Sequence, residues 1–168
     1  MKIIAVVVTY NRLSLLKRNI ACLKKNKPVH SIIVVNNGST DGTKEWLAGQ
    51  EGLIVINQQN VGGSGGFYVG INEAYQFGAD WIWCMDDDVF PHPDCLEQML
   101  VYTENKSLGI MAPRRLIDGC VYTNDFLTYN LTNPFSSMYK GRLSKMHIDE
   151  PIEISGTAFE GLFVKREV

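Results

Sequence analysis

Four short apolar runs restrict what the first half of this chain can become. They are Ile3–Val8, Ser31–Val35, Leu53–Ile56 and Trp81–Met85. Each is too short for a core helix and rich in β-branched or aromatic residues, so each reads as a buried strand. Between them Leu13, Leu16, Ile20 and Leu23 recur at helical spacing through about Lys25. Trp46 and Leu47 mark a second helix that Asp41 can cap, and Phe67, Ile71, Ala74 and Tyr75 mark a third. Pro28 and Gly52 supply the breaks. Strand–helix alternation of this kind specifies an α/β fold, with a mostly parallel sheet covered by helices.

Each strand stops at a polar segment: Thr9–Arg12, Asn36–Asp41, Asn57–Gly66 and Asp86–Asp88. Open parallel sheets bind ligands outside the carboxyl ends of their strands, so these four segments are expected to line one cleft. The last is the most telling. The run Asp80–Val89 carries apolar residues straight into three consecutive carboxylates. Three ionised acids cannot share a dry core, because each costs several kcal/mol to desolvate unpaired. In an extended segment residues i and i+2 share a face, so Asp86 and Asp88 are expected to point together and Asp87 away. Such a pair suits a hard divalent ion, Mg2+ or Mn2+. The plainer alternative is a solvated turn, and one shared cleft explains the four segments better than four separate turns.

The second half is less regular. Pro91 and Pro93 break the chain, and a helix is expected from Asp94 through Leu96, Met99, Leu100 and Thr103. Leu108–Ala112 and Leu116–Tyr122 read as strands, the latter turning at Asp118–Gly119, and Ile152–Ile154 and Ala158–Val164 as late strands. Residues 123–145 are polar and dotted with aromatics, and are expected to act as a lid that is mobile without ligand. The 168 residues suit one domain, and a net charge of -2 advertises neither nucleic acid nor an anionic membrane. The scattered Cys22, Cys84, Cys95 and Cys120 contain no Cys-x-x-Cys pair, which points to free thiols in a reducing compartment. The apolar run Ile3–Val8 near the amino terminus is short for a signal peptide and far short of a membrane span, so a cytoplasmic location is expected, compatible with peripheral attachment at the inner face of the membrane.

The stretch Asn60–Gly66 has two readings. No lysine completes a Walker loop, and Tyr68 stands where a dinucleotide fingerprint read from Gly63 and Gly65 needs glycine. What remains is a glycine-rich helix entry, either open to an anionic ligand or packed closely on its neighbours. With the acids and Arg12, the first option suggests a diphosphate. Thr9 and Asn11 could reach a base, and Asn36 and Asn37 a base or ribose edge, although a turn-forming role is the simpler reading of each alone.

Val7–Arg12, Val34–Asp41, Asn60–Phe67 and Asp86–Asp88, in that order, resemble family 2 glycosyltransferases. The Gly-Gly-Ser-Gly-Gly-Phe run with three acids is closest to the galactofuranosyl- and rhamnosyltransferase branch, and Gly161–Arg166 resembles a later family strand. The resemblance implies a GT-A fold, Rossmann-like with helices on both faces, and a metal-dependent inverting transfer. It divides one domain into a nucleotide-sugar-binding half, 1–90, and the start of an acceptor half, 91–168. The donor would be a UDP- or dTDP-linked sugar, the acceptor a glycan or lipid-linked molecule, and no nucleic acid is involved. Thr9, Asn11 and Arg12 would contact the nucleotide. Asn37, Asn60, Gly62 and Gly63 would line base, ribose or sugar. Asp86 would serve both donor and metal, with Asp88 the second ligand for Mn2+ or Mg2+. Many members carry Asp where this chain has Asn36 or Asn37.

Two rivals bear on this reading. A sugar-phosphate nucleotidyltransferase would carry a Gly-rich loop with Arg and Lys after the first strand, where this chain has Thr9-Tyr10-Asn11-Arg12. A non-catalytic nucleotide-sugar-binding fragment is the other. The resemblance places the catalytic base downstream of Gly161–Arg166, so it is expected beyond Val168, with Asp125, Asp149 and Glu160 the late acids that could substitute.

Overall fold

The computed structural model describes residues 1–122, 127–129, 139–142, 151–152 and 157–167. Its elements run β1 Ile3–Thr9, α1 Leu13–Leu23, β2 Ser31–Asn36, α2 Thr43–Ala48, β3 Leu53–Asn57, α3 Gly62–Gln76, β4 Trp81–Asp86 and α4 Cys95–Leu100. Then follow β5 Ile110–Met111, β6 Leu116–Ile117, β7 Cys120–Val121, β8 Leu127–Tyr129, β9 Tyr139–Arg142 and β10 Glu160–Lys165. They form two compact units, Met1–Met111 with Phe159–Val168, and Ala112–Ala158.

The first unit is built on a six-stranded sheet in the order β3-β2-β1-β4-β10-β5. The four runs read from the sequence are its parallel strands. The chain steps outward from β1 to β2 and β3, then returns to the other side of β1 as β4. The order therefore reverses between β1 and β4, which opens a crevice at their carboxyl ends. β10 then pairs antiparallel with β4, and β5 with β10.

Both faces of the sheet are covered, because side chains alternate along fully buried strands. Ile3, Ala5 and Val7 of β1 pack with Leu16, Ile20 and Leu23 of α1, Leu47 of α2 and Leu96 and Met99 of α4. Ile4, Val6 and Val8 face the other way, onto Phe67 and Ala74 of α3. Among the described residues the largest fully buried side chains are Trp83 and Phe163. Burying an aromatic of this size contributes roughly 1.5–3 kcal/mol. Trp83 Nε1 also donates to the Gly161 carbonyl at 3.0 Å, which satisfies its only polar atom. Cys22, Cys84, Cys95 and Cys120 are all free thiols.

The glycine-rich stretch is not a loop before a helix but the first turns of α3 itself. Glycine is costly inside a helix, by about 1 kcal/mol against alanine, and the packing accounts for two of them. A Cβ on Gly66 would lie 2.6 Å from Val8 Cγ1, and one on Gly70 would lie 2.4 Å from Val6 Cγ1. These two let α3 sit directly on β1. Gly62 and Gly63 are different: a Cβ there would meet nothing within 4 Å. Close packing therefore accounts for Gly66 and Gly70, while Gly62 and Gly63 leave free space at the helix start.

In the second unit β6 and β7 form a hairpin across Asp118 and Gly119, whose φ values of 51° and 76° match the primed turn that tight hairpins favour. β8 and β9 pair antiparallel. The expected lid, 123–145, otherwise lies outside the described residues, as does most of the expected strand Ile152–Ile154. No helix among the described residues is long and apolar enough to cross a membrane.

Candidate functional site

The crevice between β1 and β4 collects Thr9, Arg12 and the three acids. β4 ends at Asp86, and Asp87 and Asp88 already belong to a turn. The strand alternation expected from the sequence thus stops two residues short of Asp88. Asp86 is half-buried, Asp87 is 2% exposed, and Asp88 is exposed. Asp87 turns inward because two partners receive it. Thr9 Oγ1 donates to its Oδ2 at 2.6 Å, and Arg12 Nη1 approaches its Oδ1 at 3.4 Å. The same Arg12 nitrogen pairs with Asp88 Oδ2 at 2.9 Å. A cation, here a guanidinium, already rests on this edge.

Burial raises the Asp86 carboxyl above the ordinary carboxylate range; the charges of Asp88 and Asp87 push it further, and only Arg12 opposes them. Burial raises Asp87 too, against the pull of its hydrogen bond from Thr9 and the charge of Arg12. Two neighbouring acids held above their normal range mark an edge that would gain from positive charge.

A second cluster surrounds Asn37. Its side chain is buried, and its amide is saturated. Nδ2 donates to Asn60 Oδ1 and to the Gly62 carbonyl, both at 3.1 Å. Its Oδ1 accepts from Gln58 Nε2 at 2.9 Å and from the Val61 N–H at 3.3 Å. An asparagine has two donors and two acceptor sites, so none remains. Asn36 is engaged likewise, donating to Asn57 Oδ1 at 2.9 Å and accepting from the Ser39 N–H at 3.1 Å. Gly38, at φ 83°, lets the backbone of Asn60 come close: a Cβ there would be 2.9 Å from Asn60 N.

The loops after β1 and β2 are tied together. Asn11, itself at φ 53°, accepts from the Thr40 N–H at 2.7 Å, and its own N–H donates to Ser39 Oγ at 3.0 Å. Asp41 was expected to cap the second helix. It does accept from the Thr43 N–H at 3.2 Å in α2, although Gly42 holds the cap position. It also accepts from the Leu13 N–H at 2.9 Å, capping the start of α1 from a distant loop. The hydrogen bond from Thr43 Oγ1 is the main cause of its lowered pKa.

Of the sequence-predicted residues, the structure brings Thr9, Arg12, Asp86 and Asp88 to one edge and Asn37, Asn60 and Gly62 to the adjacent cluster. Gly63 is open and borders a cleft of about 450 Å³ that Ser64, Tyr68, Phe159 and Asp86 also line. Glu160 opens β10 opposite Met85, while Asp125 and Asp149 lie outside the described residues. Asn19 escaped sequence reasoning. It is fully buried on α1 and donates to the Val89 carbonyl at 2.6 Å, pinning the turn that carries the acids. Asn26, one heptad further, accepts from the Leu96 N–H at 3.2 Å. The signal was available: Asn19 interrupts the apolar stripe of Leu16, Ile20 and Leu23, and a buried amide on such a face calls for partners; its Nδ2 finds one, while its Oδ1 has none among the described residues.

Comparison with known proteins bears directly on this arrangement. The model of the family described as glycosyl transferase family 2 matches residues 4–159. Galactofuranosyltransferase GlfT1 of Mycolicibacterium smegmatis is 36% identical over 114 residues, covering 65% of this chain and 37% of that protein. The matched stretch is thus well under half of that relative's length. Among solved structures, S. aureus TarS 1-349 in complex with UDP aligns with TM-score 0.62 at 18% identity, over 75% of this chain and 39% of TarS 1-349. The mannosyltransferase PcManGT from Pyrobaculum calidifontis, in complex with GDP-Man and Mn2+, aligns with TM-score 0.51 at 18% identity, over 66% and 34%. At these identities the structures show the shared fold, that of the GT-A glycosyltransferases.

Proposed function

The chain belongs to glycosyl transferase family 2, and from that premise we propose that its first unit binds the nucleoside diphosphate of a sugar donor through a divalent ion on Asp86 and Asp88. The observation that carries this is the β1–β4 crevice, where Arg12 already pairs with Asp87 and Asp88 and where burial raises the carboxyls of Asp86 and Asp87. Relatives in the fold have been captured with UDP, and with GDP-Man and Mn2+.

The donor set fits a hard divalent ion. Two carboxylates flank the edge, and among the described residues no group of three or more His, Cys, Asp or Glu side chains could enclose a metal. An Mg2+ or Mn2+ ion on this edge would take carboxylate oxygens from the chain and share its remaining positions with substrate phosphates and water. Such an ion, when bound, would neutralise the charge that develops on a departing nucleoside diphosphate.

The chain's own residues supply the rest. Thr9 fixes Asp87 and so holds Arg12 beside the edge. Arg12 offers a fork of donors suited to phosphate oxygens. α3 begins at Gly62, whose N–H is taken by Asn60 Oδ1 at 2.9 Å; with no side-chain cap from Val61 and no acid in the first turn, the N–H groups from Gly63 onward are what its positive end offers an anion. The open space at Gly62 and Gly63 allows the approach. Asn37 and Asn60 contribute by holding that helix start in place. The acceptor in this reading is a glycan or lipid-linked hydroxyl, and transfer inverts the anomeric centre.

The test is calorimetry of UDP, dTDP and GDP against the chain with and without Mn2+. Binding is expected to require the ion, and Asp86→Asn with Asp88→Asn to abolish the ion-dependent part while the fold is kept. Unchanged affinity in that double variant would refute the assignment.

A further inference from the structure

Arg12 makes two contacts of different kinds. With Asp88 it forms the shorter pair, 2.9 Å, between side chains that are 52% and 47% exposed. With Asp87 it forms the longer pair, 3.4 Å, but the Asp87 side chain is only 3% exposed. Asp87 cannot turn outward without giving up the 2.6 Å hydrogen bond from Thr9, which is itself buried at the end of β1. Among the described residues Asp88 has no such anchor on its other side, and it can turn toward solvent. One end of the guanidinium's attachment is fixed, and the other can be released.

From this we propose that Arg12 is the resident cation of the acid edge. A divalent ion must displace it from Asp88, and Asp87 is the positioning residue that keeps the guanidinium within reach of the incoming diphosphate. The inference rests on the metal-dependent reading above and adds to it a competition between two cations for one carboxylate. It also gives Asp87 a task that strand alternation did not foresee. Metal arrival and the release of Arg12 from Asp88 become one event, so the edge presents a guanidinium held by Asp87 alone only when an ion is there to share the phosphates.

The competition is measured with Mn2+ alone, without nucleotide, by the electron paramagnetic resonance of the free ion. Arg12→Gln is expected to bind Mn2+ about fivefold tighter than the parent chain, the scale of a partly exposed ion pair removed from competition. Arg18→Gln is the control. Arg18 lies on the same helix with its guanidinium over the Phe90 ring, 3.9 Å from the centroid, so this variant removes the same charge without vacating Asp88. It should stay within about twofold of the parent. Unchanged or weaker binding in Arg12→Gln, or equal shifts in both variants, overturns the competition. Asp88→Asn separates this from the underlying reading. If it abolishes Mn2+ binding and Arg12→Gln does not tighten it, only the competition fails; if neither the parent nor Arg12→Gln binds Mn2+, both fail. The role of Asp87 is read from UDP affinity in saturating Mn2+. Arg12→Gln and Asp87→Asn should each weaken it, and the double variant should be no weaker than the worse single one. Fully additive losses would make Asp87 a residue of the fold alone.

Discussion

The loops that follow β2 and β4 flank the same central strand, and both are built from short polar side chains. They hold their polar groups in opposite ways. Around Asn37 every hydrogen-bonding capacity of the amide is used by neighbouring chain, in neutral pairs of 2.9–3.3 Å. Around Asp86–Asp88, charge is in excess: one guanidinium pairs with two of the three acids, and Asp86 and Asp87 are held above their ordinary range. A saturated neutral network is rigid and leaves nothing for a ligand. An under-compensated acidic edge is costly to the free chain and gains when a cation arrives. The first is scaffold and the second is where chemistry is expected.

The sharpest way to break that contrast is Asn37→Ala. It strands the Gln58 amide and the Val61 N–H in a part-buried loop, and a cost of about 2–4 kcal/mol follows from penalties of roughly 1–3 kcal/mol per unsatisfied group. Urea denaturation reads it directly; a loss below about 0.5 kcal/mol, the range of ordinary surface substitutions, would mean that the amide network is not a clamp.

Next in size is the difference between glycines of one helix. Gly70→Ala drives a methyl into Val6 and should cost about 1–3 kcal/mol by overpacking. Gly63→Ala meets open space and should gain up to about 1 kcal/mol from helix propensity, while lowering nucleotide affinity by crowding the ligand's approach. Equal stability effects would erase the division into packing and approach glycines.

The acidic edge should respond to pH where the amide loop does not. Ion binding needs Asp86 deprotonated, and its pKa is raised from 3.8 by burial and by Asp88. Mn2+ affinity should therefore begin to fall at a higher pH than an ordinary Asp would dictate. A titration by calorimetry in which the loss begins only near 3.8 would contradict the raised value.

The smallest expected effect has the opposite sign to the first. A carboxyl whose folded pKa is raised binds its proton more readily in the folded chain, so its ionisation erodes stability as pH rises above 3.8. At neutral pH the metal-free Asp86→Asn variant should thus melt slightly higher than the parent, and the gain should vanish in acid, where both side chains are neutral. A lower melting temperature at neutral pH would show that Asp86 stabilises the free fold. A gain would fit the general pattern in which functional residues are held at some cost to stability.

Much of this was legible in the amino-acid sequence. The four parallel strands, the alternation with helices and the gathering of four polar segments at one edge follow from apolar runs that end abruptly in residues unable to enter a core. The hairpin at Asp118–Gly119 follows from local turn chemistry, which needs only neighbours in the chain, and the helix after Pro93 starts where expected although the Asp94 side chain makes no cap hydrogen bond. Tertiary structure decided what depends on distant partners. Asp87 turns inward because Thr9 and Arg12, some 75 residues earlier, offer a hydrogen bond and a charge there, which a rule of strand alternation cannot contain. Gly66 and Gly70 pack while Gly62 and Gly63 stay open because β1 lies under one part of α3 and not the other. Asn37 became scaffold because Gln58, Asn60, Val61 and Gly62 converge on it from the next crossover. Periodicity records which face of an element is buried; which atom waits on the other side is settled only when the sheet is assembled.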